Sequence, residues 1–296
     1  MSGEALTEMK LEIGGIVLAL ELHGDGGSFE MADVYRAFLS DRRSEAIFAL
    51  RYGSLPDLKS AEEVFDSGGS WKLYRDHGRW CFALQSPALG PEPYQIAIID
   101  SDFSKGDIYT RARKTGRSPS SFPLGYPLGE LLIVNLLSQG RGVLLHSCAV
   151  SDNGHGLVFV GTSGAGKSTM ADLWKNHEGV TILSDDRIIV RKMEGRFWAY
   201  GTPWHGDVKL SSPERVPVDG IFVLRHGEEN SAAPLGARTA LTSLFVRSFP
   251  PYWNPEGMAF NLEFLGRMSK AVPCHDLGFV ADGSVVDYVR RTVGDA

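Results

Sequence analysis

Cysteine is scarce in this chain of 296 residues: only Cys81, Cys148 and Cys274 occur, far apart and odd in number. That is neither a disulfide framework nor a zinc-ligand spacing, and it predicts a reducing, cytoplasmic setting. Long hydrophobic runs are missing too. No apolar stretch approaches the roughly 18 residues that a membrane-spanning helix needs, so no membrane partner is expected. Met1 to Lys10 carries Glu4 and Glu8 and lacks a basic start followed by an apolar run, so no signal peptide is expected there. Nor is there a basic excess. Lys plus Arg total 30 against 36 Asp plus Glu, a formal net charge of -6, which argues against a nucleic-acid partner. Internal repeats and low-complexity tracts are also absent.

What is present is a core-forming composition. Hydrophobic residues make up 43% and charged residues 22%, which excludes disorder as the main state. The length predicts one large or two medium domains. The first ~100 residues read as a mixed α/β module. Leu11 to Leu20 suits a buried strand, and Asp33 to Leu39 has apolar residues at helical spacing. Trp71 to Tyr74 and Arg79 to Leu84 flank Asp76-His77-Gly78, a hairpin turn. Gln95 to Ile99 reads as a further strand.

Between Asp100 and Tyr126 the composition shifts. Lys105, Arg111, Arg113, Lys114 and Arg117 cluster there, followed by Ser118-Pro119-Ser120-Ser121-Phe122-Pro123. This reads as an exposed connector, either a solvated loop or a basic lip for a phosphate or an acidic partner. Pro127 to Gln139 suits a buried helix with Gly140 after its end. The expected domain boundary lies near residue 125, giving an N-terminal domain 1–125 and a second domain 126–296. The second opens with two strands, Gly142 to Val150 and Gly156 to Val160, turning at Asp152-Asn153-Gly154.

The strongest signal follows. Gly161-Thr162-Ser163-Gly164-Ala165-Gly166-Lys167-Ser168 fills the pattern G-x-x-x-x-G-K-[ST], between the apolar strand Leu157 to Val160 and a helical run that Thr169 opens. Glycines let the backbone approach phosphate oxygens closely, and successive N–H groups form an anion nest at a helix N-terminus. Lys167 is placed to reach β- and γ-phosphates, and the Ser168 hydroxyl to meet Mg²⁺.

A second signal is Asp185-Asp186 at the end of the strand Val180 to Ser184. After a phosphate loop, one such carboxylate can take a proton from an attacking hydroxyl while the other serves a metal. The chain then continues as strands, Arg187 to Arg191 and Arg196 to Tyr200, around Met193-Glu194-Gly195. That hairpin argues against a GTPase-like or RecA-like sheet. His146 shares a strand face with Leu144, Cys148 and Val150, and its side chain is either a core histidine or a tuner of an aspartate. Gly201 to Asp207 and Arg247 to Trp253 are compact loops that either bind something or simply turn and pack. Arg187 and Arg247 are candidate extra cations for a transferring phosphoryl group. Cys274-His275-Asp276 reads as structural.

These residues resemble the HPr kinase/phosphorylase family, whose β-rich nucleotide-binding fold is shared with phosphoenolpyruvate carboxykinase. The resemblance covers His146 to Trp204 well and the rest of the C-terminal half loosely. It rests on a histidine on a strand, a hairpin, the phosphate loop, a helix, and a strand ending in a double aspartate. It implies an α/β, β-rich phosphate-loop catalytic domain preceded by a smaller mixed α/β domain. It implies ATP and Mg²⁺, with phosphates on Gly161 to Thr169 and metal on Ser168 and Asp185 or Asp186. His146 would pair with an aspartate, and Asp185 or Asp186 would be the base toward a serine of a protein or peptide. The loop departs from the family in having Thr162 for Asp and Thr169 for Glu, and the family's later signature region is not found. Nucleotide chemistry therefore carries over better than the acceptor. Residues 1–125 would recognise the partner or bring subunits together as a homo-oligomer. Two other readings stand beside the kinase: an ATP-binding regulatory or assembly protein without transfer, and a carboxykinase acting on oxaloacetate. ATP rather than GTP follows from the family alone, since no N-K-x-D motif is present.

Overall fold

The structure is a computed structural model and describes residues 8–23, 31–111 and 122–294. The expectations for the start of the chain, for Arg113, Lys114 and Arg117, and for Ser118 to Ser121 lie outside these residues. The fold class is α/β, with β-rich mixed sheets and few helices. Two compact units are present, Met1–Leu136 and Leu137–Ala296.

The first unit is built on one eight-stranded sheet. Its strands are β1 (Glu8–Ile13), β2 (Ile16–His23), β3 (Ala46–Gly53), β4 (Glu62–Asp66), β5 (Trp71–Asp76), β6 (Arg79–Ser86), β7 (Gly90–Ile99) and β8 (Lys105–Arg111), in the order β1-β2-β3-β8-β7-β6-β5-β4. The β2–β3 and β3–β8 pairs are parallel and the others antiparallel. The apolar stretch Leu11 to Leu20 is not one strand. Gly14 and Gly15 take φ of 60° and 72°, the geometry of a two-residue hairpin turn, and split it into β1 and β2. The turn at His77-Gly78 does form, with φ of 45° and 82° and Asp76 opposite Arg79. The helix expected over Asp33 to Leu39 shrinks to α1 (Asp33–Arg36), because Leu39 leaves it to bridge Leu11 beside β1. The unit is thus more β than expected. Its core holds Ile16, Leu18, Leu20, Phe48, Leu50, Phe82 and Ile108, all essentially inaccessible. Helix α2 (Leu128–Leu137) carries the division between the units.

The second unit contains β9 (Val143–Asp152), β10 (His155–Val160), α3 (Lys167–Trp174), β11 (Val180–Ser184), β12 (Arg187–Met193), β13 (Arg196–Tyr200), β14 (Arg215–His226), β15 (Ser231–Pro234), α4 (Ala237–Phe245), α5 (Pro255–Ala271), β16 (Cys274–Phe279) and α6 (Ser284–Gly294). Two tight turns organise it. Asn153-Gly154 and Glu194-Gly195 all have positive φ, as two-residue hairpins require, and they set the β9–β10 and β12–β13 ladders. The path β10-β9-β12-β13-β14 closes on itself, because β10 pairs with β14 as well as β9. Closure removes exposed edges from these five strands.

Side-chain alternation then feeds two cores. Val158 and Val160 join Ala240, Leu244, Phe264, Leu265 and Met268 of α4 and α5. Leu157 and Phe159 join Met170, Ala171, Trp174, Val285, Val286 and Val289 of α3 and α6. Strands β10, β14 and β16 run parallel side by side, so the loops after them emerge at one end of the sheet.

Candidate functional site

Residues 161–166 form the loop between β10 and α3. Gly164 and Gly166 take φ of 79° and 100°, the left-handed region that turns successive N–H groups to one side. Ala165 N–H closes the turn onto Thr162 O at 3.1 Å. Gly166 has no room for a side chain, since a Cβ there would lie 2.5 Å from Phe279 Cζ. The loop is thus fixed from below by a buried aromatic, and helix α3 starts with its N-terminal N–H groups free of any side-chain cap.

Around this loop lies an open cavity of about 360 Å³, lined by His146, Ser163, Gly164, Gly166, Lys167, Ser168, Thr169, Asp186, Gly206 and Asp207. Of the residues expected in the site, Gly161, Thr162, Ala165 and Asp185 do not line it. Gly161 and Ala165 are buried behind it, and Thr162 is exposed. Lys167 is nearly buried and donates to Gly161 O at 3.1 Å and Thr162 O at 3.2 Å. Burial lowers its pKa and the nearby Arg247 and Arg187 add to that, while Asp186 acts the other way.

The two aspartates have different surroundings. Asp185 is 1% exposed. Its Oδ1 accepts from Gly206 N–H at 2.8 Å and its Oδ2 from Val208 N–H at 3.0 Å. A buried carboxylate thereby ties down residues 206–208 and presents Asp207 to the cavity. Asp186 faces the cavity itself. His146 Nε2 stands 2.9 Å from its Oδ1, and Arg187 pairs with its Oδ2. Burial pushes the Asp186 carboxyl up, but the His146 hydrogen bond and the charges of Arg187, His146 and Lys167 outweigh it, and the net shift is downward.

Neighbouring strands hold these groups in place. His146 faces Arg187 across the β9–β12 ladder. His146 N–H donates to Arg247 O at 2.7 Å, which sets the 247–249 segment beside β9. Phe249 from that segment supports Arg187, whose guanidinium lies 4.3 Å from the ring centre. Arg187 therefore reaches the site through Asp186, while Arg247 lies near Lys167 without lining the cavity. The Arg247 guanidinium donates to Ser243 O, its Nε is buried without a hydrogen-bond partner, and burial lowers its pKa. Elsewhere, His275 stacks on Phe222 and Asp276 pairs with Arg225, outside the cavity.

Asp207 belongs to the Gly201 to Asp207 loop that the sequence offers as either a binding loop or a rigid turn, but its place at the cavity and the tie of the loop to Asp185 were not expected. The compact composition of Gly201 to Asp207 was the available signal, but nothing local couples it to a carboxylate some twenty residues earlier. Among the described residues no group of three or more His, Cys, Asp or Glu side chains is arranged to hold a metal ion. Nor is any helix among them long and apolar enough to cross a membrane. No protein-family model matches the chain, and no curated protein matches it.

Proposed function

We propose that the chain is an ATP-dependent, Mg²⁺-requiring phosphotransferase of the HPr kinase-like kind, acting on a hydroxyl, a serine of a protein or peptide. The observation that carries this reading is one cavity holding the phosphate loop and the His146–Asp186 pair. Loop N–H groups and Lys167 would take the β- and γ-phosphates. Lys167 now rests on two loop carbonyls, which a phosphate oxygen would replace as its partner.

The donors suit Mg²⁺ in kind. Ser168 and Asp207 bring hard oxygen atoms to the same cavity, apart from the Asp186 carboxylate that His146 and Arg187 engage. These two would hold the ion directly or through water, and its charge would offset that of the phosphates.

Asp186 is the base in this reading, and Asp185 is a strap. A carboxylate has about four lone-pair sites, so Asp186 can keep His146 and Arg187 and still accept a hydroxyl proton. Its lowered pKa keeps it ionised at neutral pH. A weak base is sufficient because the attacking hydroxyl needs little deprotonation in a loose phosphoryl-transfer transition state. The acceptor O–H bond then breaks toward Asp186 as the new P–O bond forms and ADP leaves.

The test is transfer of γ-labelled phosphate from ATP, with Mg²⁺, in lysate of the source cells, comparing wild type with Lys167→Ala. A labelled protein or peptide that requires Lys167 supports the reading. Tight ATP binding with no labelled acceptor would favour a regulatory nucleotide-binding protein instead, and phosphoenolpyruvate formation from oxaloacetate would favour a carboxykinase.

A further inference from the structure

The cavity accounts for the phosphates of ATP and leaves its base without a place. Only His146 among the lining residues is aromatic, and its ring is engaged by Asp186. On the β9 and β12 side of the loop stand His146, Asp186 and Arg187, charged groups suited to the reacting end of the nucleotide. On the other side of the loop β14 and β16 end next to β10, and no charged group of the reacting centre stands between them and Gly164 in the pairing register.

His226 stands there. It is the last residue of β14 and pairs in register with Phe279, the last residue of β16. Its Nε2 lies 2.9 Å from Gly164 O, and since a carbonyl only accepts, Nε2 carries the proton. Its ring stacks on Phe279, with centroids 6.2 Å apart and planes 26° apart. Phe279 is 2% exposed and packs in turn against Gly166. His226 is thus held on one ring face by a buried aromatic and at one edge by the phosphate loop, yet it remains exposed. A flat ring fixed beside the phosphates and open to solvent is a platform for a second flat ring.

We propose that His226 is the stacking platform for the base of the bound nucleotide. The inference rests on reading the loop as the ATP phosphate site. It makes the base a contributor to affinity through its π-face, with no base-edge code required. That agrees with a sequence in which no N-K-x-D motif occurs.

Isothermal titration of the full chain with Mg²⁺ and either ATP or inorganic tripolyphosphate separates base from phosphates. Wild type is expected to bind ATP more tightly than tripolyphosphate. His226→Ala is expected to weaken ATP about tenfold and leave tripolyphosphate within about twofold, while His226→Phe, which keeps a ring, retains most of the ATP affinity. His226 is exposed, so both variants should fold, and their melting temperatures check this. Equal losses for the two ligands would show that His226 acts only through Gly164 on the loop, and would overturn the proposal. An unchanged ATP affinity in His226→Ala would place the base elsewhere and also overturn it. Failure of wild type to bind either ligand would remove the phosphate-loop reading itself, and this inference with it.

Discussion

His146 Nε2 lies 2.9 Å from Asp186 Oδ1, and β-sheet register is what brings the two together. His146 sits on β9 opposite Arg187 of β12, so the residue just before Arg187 delivers its carboxylate to the imidazole. The pair has a pH signature. Asp186 is held below its ordinary value of 3.8. Its contribution to stability is present above that value and is lost as pH falls through the lower, folded pKa. Removing the histidine by His146→Ala takes away a hydrogen bond and a charge that lower the pKa, while burial still raises it. The acidic limb of the transfer rate should then move to higher pH, and the rate at neutral pH should fall about 10- to 100-fold through lost orientation. His146→Gln, which keeps a donor, should recover part of that rate. A pH–rate profile with an unmoved acidic limb would argue that the pair is only structural.

Asp185 makes a different prediction from its neighbour. Its two oxygens carry the N–H groups of Gly206 and Val208, so Asp185→Asn sets an amide group against one of them. Hydrogen bonds to charged groups contribute about 1.5–3 kcal/mol each, and the variant should lose stability of that order. Urea denaturation reads it. Nucleotide affinity should fall along with stability, because Gly206 and Asp207 line the cavity. Wild-type stability in Asp185→Asn would contradict the strap.

Burying the Lys167 charge carries a desolvation cost in the absence of a ligand. Its pKa is lowered from 10.5, chiefly by burial, so the folded chain disfavours the charged form. That cost is complete below the folded pKa and is relieved as pH rises toward 10.5. Measured against Lys167→Met, the wild type should therefore gain stability from neutral pH up to about 10.5. Denaturation curves across that range test it, and a constant difference between the two proteins would refute it.

Gly166 connects the loop to the core. Its φ of 100° and the 2.5 Å approach of Phe279 Cζ to an added Cβ make Gly166→Ala doubly unfavourable. A cost of about 1–3 kcal/mol in stability is expected, together with loss of measurable ATP binding. Unchanged binding by titration would mean that the loop does not need this geometry.

Local patterns were the legible part of this fold. The hairpins at His77-Gly78, Asn153-Gly154 and Glu194-Gly195 each lie within a few residues of chain, and so does the phosphate loop. The run Leu11 to Leu20 misled because apolar residues flank Gly14-Gly15 on both sides, and periodicity alone passes over a turn with no polar residue in it. Non-local pairings were not legible. No spacing joins Asp185 to Gly206 and Val208, or β10 to β14, and adjacent aspartates cannot be ranked until burial separates them. His226 left no signal either, since a single exposed histidine acquires meaning only when two parallel strands set it beside Gly164.

The most direct measurement of the central claim is single-turnover transfer of the γ-phosphate by Asp186→Asn, with ATP affinity read on the same preparation by titration. The variant is expected still to bind ATP with Mg²⁺ and to transfer phosphate about 10²- to 10⁴-fold more slowly than wild type. Transfer at the wild-type rate would contradict the claim, because the carboxylate that faces the cavity beside His146 would then have no part in the reaction.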